Sequence, residues 1–251
     1  MDKKILKLYQ LYDGYCYNSD SLFLYDFARE FIKKSSCVLE VGSGSGVVGL
    51  LCARAFDIDL TMIEIDVYMA FLSKINAASA KIQAKIICKN FLDFHSEKKF
   101  DMIISNPPFY RLGIIGAKNR RIKIARSEEF LPFREFCTRV KRLLKSQGSF
   151  VFCYDAKESH RVFHILKDLG FNPEVTKFVH PRIDKEASLL LCKARINTKS
   201  SIKILPPLIT HYSNSQLDNT DEVKKIYQDT NTYSIKVHSK DISLEEKEDI
   251  L

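Results

Sequence analysis

Short apolar runs alternate with amphipathic segments along most of the chain, and this alternation limits the folds open to it. The predicted strands are Ser36–Val41, Leu60–Ile65, Ile86–Cys88, Met102–Ser105, Ser149–Tyr154, Phe171–Val179 and Ala187–Ala194. The segments around them have helical periodicity, and the predicted helices are Ser21–Ile32, Gly46–Phe56, Val67–Ala78, Glu128–Leu144 and Lys157–Leu169. Elements in this order form βαβ units, so we expect an α/β fold whose mostly parallel sheet has helices on both faces.

Length and composition favour a single globular domain. The 251 residues are 45% hydrophobic and 28% charged, which is typical of globular proteins and excludes a disordered or collagen-like chain. We expect residues 1–240 to form the domain, with a polar, irregular appendage at residues 197–240 and an acidic tail at residues 241–251. No apolar stretch approaches the roughly 20 residues of a membrane helix, and no signal peptide is visible. We therefore expect a soluble, cytoplasmic protein without a membrane partner.

The seven cysteines lack the spacing of a metal site or a disulfide framework. No C-x-x-C pair occurs, and no histidine lies at zinc-finger distance from a cysteine. His160 and His164 are four residues apart, but the glutamate of the zinc-protease helix motif is missing between them. We therefore predict no metal, and we interpret the cysteines as reduced thiols in or near the core.

Positive charge is concentrated in one segment of the chain. The formal net charge is +8, and residues 111–126 contain six basic residues and no acidic one. A solvated protein surface usually mixes both signs, so this segment favours contact with phosphates or another acidic partner. Its candidate substrate-binding residues are Arg120, Arg121, Lys123 and Arg126.

The strongest local pattern is an apolar strand that runs into three alternate glycines. Gly42, Gly44 and Gly46 allow a sharp turn and let the backbone approach a ligand without an intervening Cβ. Residues 44–49 also fit the dinucleotide pattern G-x-G-x-x-G, so the glycines alone leave the ligand ambiguous. Glu40 lies two residues before the first glycine, where its carboxylate would repel a pyrophosphate and attract an ammonium group. This favours S-adenosylmethionine (SAM), whose methionine end carries such a group.

Polar residues also follow the next two predicted strands, at the edge where open α/β sheets bind ligands. Glu64 and Asp66 end the second strand, and an acid there can accept hydrogen bonds from both ribose hydroxyls. We prefer Glu64, because it follows the apolar strand directly, whereas Asp66 is placed to cap the next helix. Asn90 and Phe91 follow the third strand, where the amide could bind the adenine amine and the aromatic ring could pack on the base.

An apolar strand that ends in Asn106-Pro107-Pro108-Phe109 carries the predicted chemistry. The two prolines restrict the backbone, so the Asn106 side chain and the neighbouring carbonyl point in fixed directions. A planar NH₂ group is a poor nucleophile because its lone pair is delocalised. Two acceptors placed at its hydrogens would localise that lone pair on nitrogen and aim it at a methyl donor. Phe109 offers an aromatic face on which a planar substrate can stack.

As a set, these motifs resemble the SAM-dependent amino-methyltransferases of the N-P-P-[YF] group. The residues that carry the resemblance are Glu40-x-Gly-x-Gly-x-Gly46, Glu64, Asn90 and Asn106-Pro-Pro-Phe109. Within that group the chain is similar to the bacterial valine-tRNA adenine N6-methyltransferase family, which modifies the adenine beside the anticodon. The tRNA-related similarities are looser, and they include Asn18-Ser19-Asp20-Ser21, Ala125-Arg126 and His180-Pro181-Arg182.

The resemblance implies a Rossmann-like SAM-dependent methyltransferase fold, with a seven-stranded sheet whose last strand is antiparallel. It also implies methyl transfer from SAM to the N6 amine of an adenine in RNA, with tRNA near the anticodon as the expected substrate. Asn106 and the Pro107 carbonyl would bind the amine, Phe109 would stack on the base, and Asp20 would help to close over SAM. The departures from the family are Phe109, where tyrosine is common, and the acidic tail.

Two other functions stay open at this point. The same turn suits any planar NH₂ group, so a protein methyltransferase acting on the N5 amide of glutamine is one alternative. Such enzymes usually carry a helical substrate domain before the glycine motif, and only about 40 residues precede the motif here. The other alternative is a non-catalytic RNA- or nucleotide-binding module that retains the fold, which measurable methyl transfer would exclude.

Overall fold

The computed structural model describes residues 5–109 and 128–243, which form a large sheet with helices on both faces. The strands are β1 (Leu6–Leu11), β2 (Cys37–Val41), β3 (Asp59–Glu64), β4 (Ala84–Cys88), β5 (Phe100–Ser105), β6 (Leu144–Asp155), β7 (Phe171–His180), β8 (Leu189–Ile196), β9 (Lys203–Ile204), β10 (Leu208–Ile209) and β11 (Thr232–Val237). The helices are α1 (Ser19–Arg29), α2 (Val47–Ala55), α3 (Val67–Ala80), α4 (Phe133–Leu143), α5 (Ser159–Asp168) and α6 (Asp221–Thr230). Short 3-10 turns occupy Phe91–Asp93, Glu128–Phe130, Ala156–Glu158 and Ser239–Asp241.

The central sheet follows the order β10-β7-β8-β6-β5-β2-β3-β4 across the described residues, and β9 also pairs with β7. Strands β4, β3, β2, β5 and β6 are parallel neighbours, and β8 lies antiparallel between β6 and β7. The predicted seven-stranded, mostly parallel sheet with an antiparallel last strand is therefore confirmed. The short strands β9 and β10 add to it by pairing with β7.

Alternation along the strands sends side chains into two apolar layers, one on each face of the sheet. On β6, Val151 and Cys153 enter the layer that contains α1 and α2, whereas the neighbouring aromatic residues enter the layer that contains α4 and α5. In that second layer, Phe150 stacks on Phe152 with ring centroids 4.4 Å apart. Full burial of such a side chain contributes about 1.5–3 kcal/mol relative to exposure. Helices thus cover both faces, and the carboxyl ends of the parallel strands form the edge where a ligand can bind.

Residues 197–240 were expected to be irregular, but β9, β10, α6 and β11 lie there, separated by irregular stretches. The Thr220 hydroxyl caps α6 by accepting from the Val223 N–H at 3.4 Å. Val223 and Ile226 are buried in the layer that contains α1 and α2. Because only one face of α6 is buried, its composition is polar although its structure is regular. Residues 244–251 of the acidic tail lie outside the described residues.

Strand β11 pairs in parallel with β1, and the two form a separate sheet in the described part of the chain. This sheet lies against α3, where the Tyr9 N–H donates to the Asn76 side-chain oxygen at 2.7 Å. A second link follows β1, where Asp13 accepts from the Ser239 N–H at 2.9 Å. The sheet therefore fastens the segment between β1 and α1 to the C-terminal part of the chain.

All seven cysteines lie in the described ranges as free thiols. Cys52, Cys137, Cys153 and Cys192 are buried, and the others are half-buried, which confirms their predicted place in or near the core. Among the residues described, no group of histidines, cysteines and acids has the arrangement of a metal site. Within the same ranges, no helix combines the length and the apolar character needed to cross a membrane.

Candidate active site

A cavity lies at the carboxyl ends of β2, β3, β4 and β5, where the loops that carry the motifs meet. The predicted site residues in its wall are Glu40, Gly42, Gly44, Glu64, Asn90, Phe91, Asn106 and Pro108. Four other described residues of the predicted site are not part of that wall, namely Asp20, Gly46, Pro107 and Phe109. The parallel sheet therefore brings the glycine loop, the strand-end acids and the Asn-Pro-Pro turn to one place.

The loop after β2 turns sharply over its glycines, with φ of +65° at Gly42, +56° at Gly44 and +84° at Gly46. These angles lie in the left-handed region that glycine adopts without a steric penalty. At Gly46, an added Cβ would also lie 2.5 Å from the hydroxyl oxygen of Ser73 on α3. A side chain is thus excluded at the point where the loop enters α2.

Glu40 lies on β2 with only 4% of its surface exposed. Its Oε2 accepts a hydrogen bond from the Gly49 N–H in the first turn of α2, at 2.8 Å. A Cβ on Gly49 would lie 2.5 Å from that oxygen, so glycine is required for the contact. Burial raises the pKa of the Glu40 carboxyl to about 8, and the Glu64 carboxyl adds to the rise. Glu40 therefore satisfies a backbone donor of α2 as well as lining the cavity.

Both carboxyl oxygens of Glu64 are used by the backbone around the cavity. Oε2 accepts from the Gly44 N–H at 2.7 Å, while Oε1 accepts from the Ile65 and Asp66 N–H groups at 2.9 Å each. Burial raises the pKa of the Glu64 carboxyl, and these hydrogen bonds oppose the rise. Because each carboxylate oxygen has about two acceptor sites, Oε2 retains one for a ligand hydroxyl.

Asp66, the alternative to Glu64, caps the helix that follows it. Its Oδ1 accepts from the Tyr68 N–H at 2.9 Å and from the Met69 N–H at 3.1 Å. These are backbone donors at the start of α3 that have no partner within the helix. Asp66 thus lines the cavity but commits one oxygen to α3, which is the structural role considered for it in the sequence.

Asn90 begins the 3-10 turn after β4, and its Oδ1 accepts from the Leu92 N–H at 3.0 Å. The same oxygen would have to accept from an adenine amine, and an amide oxygen has a second lone pair available. Phe91 is buried next to it and meets Phe136 edge-on, with ring centroids 5.5 Å apart. The two residues form a polar and aromatic corner of the cavity.

The turn after β5 holds Asn106 between two other elements. Its Nδ2 donates to the hydroxyl of Ser21 on α1 at 3.3 Å. Its Oδ1 accepts from the thiol of Cys153 on β6 at 3.0 Å. Pro107 is buried, and Pro108 lines the cavity. The two prolines therefore restrict the backbone of the turn, whereas Ser21 and Cys153 hold the direction of the Asn106 amide.

Phe109 ends one described segment, and Glu128 begins the next. The half-buried Phe109 ring contacts Tyr154, with ring centroids 5.6 Å apart. The Tyr154 hydroxyl accepts from Arg161 at 2.9 Å, and the same guanidinium donates to both Glu128 oxygens at 2.8 Å. Tyr154 and Arg161 thus connect the two segments. The predicted substrate-binding residues lie outside the described residues, and they are Arg120, Arg121, Lys123 and Arg126.

Sequence reasoning missed several residues of the cavity wall, which are Leu11, Tyr15, Tyr17, Ser21, Met69, Lys89, Phe130 and Leu131. Tyr15 and Tyr17 belong to the segment between β1 and α1, whose tyrosine-rich composition is the signal that could have found them. Ser21 reaches the cavity, whereas Asp20 accepts from the Asn18 side-chain amide at 2.8 Å. Burial raises the pKa of the Asp20 carboxyl.

The fold is that of the Rossmann-like methyltransferases, which is the predicted fold class. A predicted O-methyltransferase from Agrobacterium tumefaciens aligns with a TM-score of 0.64 at 17% sequence identity, over 87% of this chain and 100% of that one. A ribosomal protein L11 methylase from Lactobacillus delbrueckii subsp. bulgaricus aligns with a TM-score of 0.55 at 15% identity, over 74% of this chain and 81% of that one. At these identities the likeness concerns the fold alone.

The sequence gives a narrower assignment within this class. Residues 19–177 match the methyltransferase small domain family, and the chain belongs to that family. It is 27% identical over 179 residues to a tRNA1(Val) (adenine(37)-N6)-methyltransferase of Pedobacter heparinus, over 70% of this chain and 75% of the relative. A protein of the same description from Bacteroides thetaiotaomicron is 30% identical over 129 residues, which cover 50% of this chain and 54% of that relative. These similarities confirm the resemblance drawn from the motifs.

Proposed function

We propose that this chain transfers a methyl group from SAM to the N6 amine of an adenine in tRNA, near the anticodon. The observation that carries the proposal is the cavity in which the glycine loop and Glu64 lie beside Asn106. A cofactor held by the glycine loop and Glu64 would face a substrate amine held by Asn106. The descriptions of the Pedobacter and Bacteroides relatives as tRNA adenine-N6 methyltransferases support the choice of substrate.

The residues of the cavity suit SAM. An added Cβ on Gly42 would meet no described atom within 4 Å, so the glycine loop leaves open space for a ligand. Glu64 has an acceptor site for ribose hydroxyls, and Asn90 and Phe91 offer an acceptor and a ring to the adenine. The ammonium group of the methionine end would stabilise the ionised form of the Glu40 carboxyl. When bound, SAM supplies a methyl group activated by the charge of its sulfonium.

The turn after β5 would prepare the target amine. Asn106 Oδ1 and the Pro107 carbonyl would each accept one N–H of the amine, which localises the nitrogen lone pair. Fixed acceptors of this kind stabilise a transition state because they need no reorganisation during the reaction. The exposed part of the Phe109 ring would stack on the base. The methylated amine sheds its proton readily to water, so a separate strong base is not required.

RNA would be held mainly by the basic segment after the turn, in which Arg120, Arg121 and Lys123 contact phosphates. Arg126 stands in the Ala-Arg context of the family, which favours a position near the base. The target adenine has to leave its stack before it can enter the cavity. This segment connects directly to the Asn-Pro-Pro turn, so phosphate binding and base placement would be coupled.

Methyl transfer from labelled SAM tests the proposal. The protein is incubated with labelled SAM and, in separate reactions, with unmodified tRNA, rRNA or a release factor, and the products are digested. We expect N6-methyladenosine from the tRNA, and label reduced by about 10²–10³ in a matched reaction with the Asn106→Ala variant. Label in a glutamine of the release factor would establish a protein methyltransferase instead. SAM binding without transfer to any acceptor would contradict the catalytic proposal and favour a binding module.

A further inference from the structure

Asn106 is at the centre of the proposed reaction, and two buried side chains from other elements hold its amide. Ser21 is 4% exposed and accepts from Asn106 Nδ2 at 3.3 Å. Cys153 is fully buried, and its thiol lies 3.0 Å from Asn106 Oδ1. Each polar atom of the amide thus has a partner of its own.

The position of Cys153 follows from the register of the sheet. Ser105, at the end of β5, is the partner of Phe152 on β6. One residue further along each strand, Asn106 lies beside Cys153. The Cys153 side chain enters the layer that contains α1, which is the helix that carries Ser21. The amide is therefore approached by a strand on one side and a helix on the other.

The chemistry of the groups sets the direction of each hydrogen bond. The amide oxygen is only an acceptor, so the Cys153 thiol donates to it, and the Ser21 hydroxyl accepts from the amide nitrogen. Burial raises the pKa of the Cys153 thiol well above its ordinary value, and the nearby Asp20 carboxyl adds to the rise. The thiol consequently keeps its proton and remains a donor.

We propose that Ser21 and Cys153 are positioning residues that hold the Asn106 amide in the orientation needed to accept the target amine, an inference that rests on the proposed function. The outer torsion of an asparagine side chain is broad, so the residue alone does not fix the direction of its oxygen. A half-turn of the amide would place Nδ2 against the Cys153 sulfur, which is only a weak acceptor, so the thiol favours the observed orientation. The oxygen keeps a second lone pair for the substrate, so holding the amide does not block it.

Steady-state kinetics and SAM binding test this role. Cys153→Ala removes the donor, and we expect kcat to fall about ten-fold, as for loss of one hydrogen bond, with SAM affinity unchanged. Cys153→Ser restores a donor and should recover most of the rate. Ser21→Ala should also lower kcat. The matched control is Cys192→Ala, which removes a fully buried thiol of the neighbouring strand β8 that packs on the opposite face of the sheet from Cys153.

Two kinetic results would overturn the inference. In the first, Cys153→Ala loses no more activity than Cys192→Ala, which would make the thiol a packing group only. In the second, Cys153→Ser is folded, binds SAM and is as slow as Cys153→Ala, which would mean that the donor is irrelevant.

Infrared spectroscopy tests the contact without any need for catalysis. The S–H stretch of Cys153 is isolated as the difference between spectra of the wild type and Cys153→Ala. A thiol that donates a hydrogen bond absorbs at a lower wavenumber than a free thiol, so we expect the band to move up in Asn106→Ala. An identical band position in the two backgrounds would refute the contact. If the band moves but the wild type methylates no RNA, the contact stands and the proposed function fails.

Discussion

Glu40 and Glu64 lie on adjacent strands and hold the start of α2 and the glycine loop before it. Glu64 accepts from the Gly44 N–H within the glycine loop, and Glu40 accepts from the Gly49 N–H just inside α2. Both carboxyl groups are buried, and the charge of Glu64 contributes to the raised pKa of Glu40. A cationic ligand in the cavity would favour the ionised form of Glu40 and so lower its raised pKa.

The raised pKa of Glu40 predicts a stability that depends on pH. Its carboxyl has an ordinary pKa of 4.5 and a pKa of about 8 in the folded protein. Between these values the folded state keeps a proton that the unfolded chain releases, so stability is highest below the lower value and falls as pH rises. Glu40→Gln cannot titrate. We expect the melting temperature of the wild type to fall relative to Glu40→Gln from about pH 5 to about pH 9.

Thermal melts of both proteins across this range give the difference between their melting temperatures at each pH. The contributions of the titratable groups that both proteins contain cancel in this difference. Parallel curves would show that Glu40 is already ionised in the folded protein at pH 5.

Asn106→Ala should separate binding from chemistry. The proposed contact of Asn106 is with the target amine, so SAM affinity should remain while methyl transfer falls by about 10²–10³, or about 2.7–4 kcal/mol. Calorimetry with SAM and a turnover assay with tRNA give the two quantities. A folded Asn106→Ala variant that turns over near the wild-type rate would contradict the proposed role of Asn106.

Among the elements, the turn after β5 and the segment before α4 are connected through β6 and α5. Phe109 contacts Tyr154, and Arg161 joins the Tyr154 hydroxyl to Glu128. Arg161 also donates to Glu158 at 2.9 Å. The guanidinium thus satisfies three partners at once, which raises its own pKa further above the ordinary value. The arrangement fixes the described residues on both sides of the basic segment.

Arg161→Ala should therefore destabilise the fold by about 1.5–3 kcal/mol, the range for hydrogen bonds to charged groups. The matched control is Arg134→Ala, because Arg134 pairs with Asp168 at 2.8 Å but both side chains are largely exposed. Exposed pairs of this kind contribute little, so its effect should be much smaller. Denaturant unfolding of the two variants measures the comparison. Equal losses in the two variants would mean that the half-buried network around Arg161 adds no more stability than an exposed ion pair.

The central strands could be predicted because each combines an apolar run with a loop that breaks it, as in Leu60–Ile65. The sequence did not predict β1, β9, β10, α6 and β11, which are short or partly polar. In α6, for example, Thr220 caps the helix, acids occupy its first turn and Val223 and Ile226 face the core. Those signals were present but were outweighed by the polar composition of the segment. Strand β11 has a weaker hydrophobic pattern in the sequence, because its residues are at most half-buried.

The motifs of the candidate site are visible in the sequence because each consists of residues adjacent in the chain. The partners of Asn106 are of another kind, since Ser21 is 85 positions away and Cys153 is 47. Neither residue type predicts such a contact by itself. Only the register between β5 and β6, together with the packing of α1, brings these partners to the amide.

For the molecule as a whole, the distribution of charge predicts how RNA binding responds to salt. If the basic segment contacts phosphates, log affinity should fall by about 0.7–0.9 per log unit of salt for each contact. Replacing Arg120, Arg121 and Lys123 with alanine should remove the slope contribution of about two to three phosphate contacts. It should also lower the affinity for all RNAs to the same extent. Fluorescence titration of a tRNA at several salt concentrations measures the slope. SAM affinity should survive as the control, and an unchanged slope would refute the phosphate contacts.

The pairing of β1 with β11 has a consequence for how the protein is made. Leu6 is paired with Thr232, and Asp13 and Ser239, which are 226 positions apart, hydrogen-bond nearby. Contacts between such distant residues form late, because the entropy of loop closure opposes them. On the ribosome, a nascent chain can assemble the seven central strands while Tyr15 and Tyr17 still lack the strand that fastens their segment. The cavity gains its full wall only when translation has passed β11.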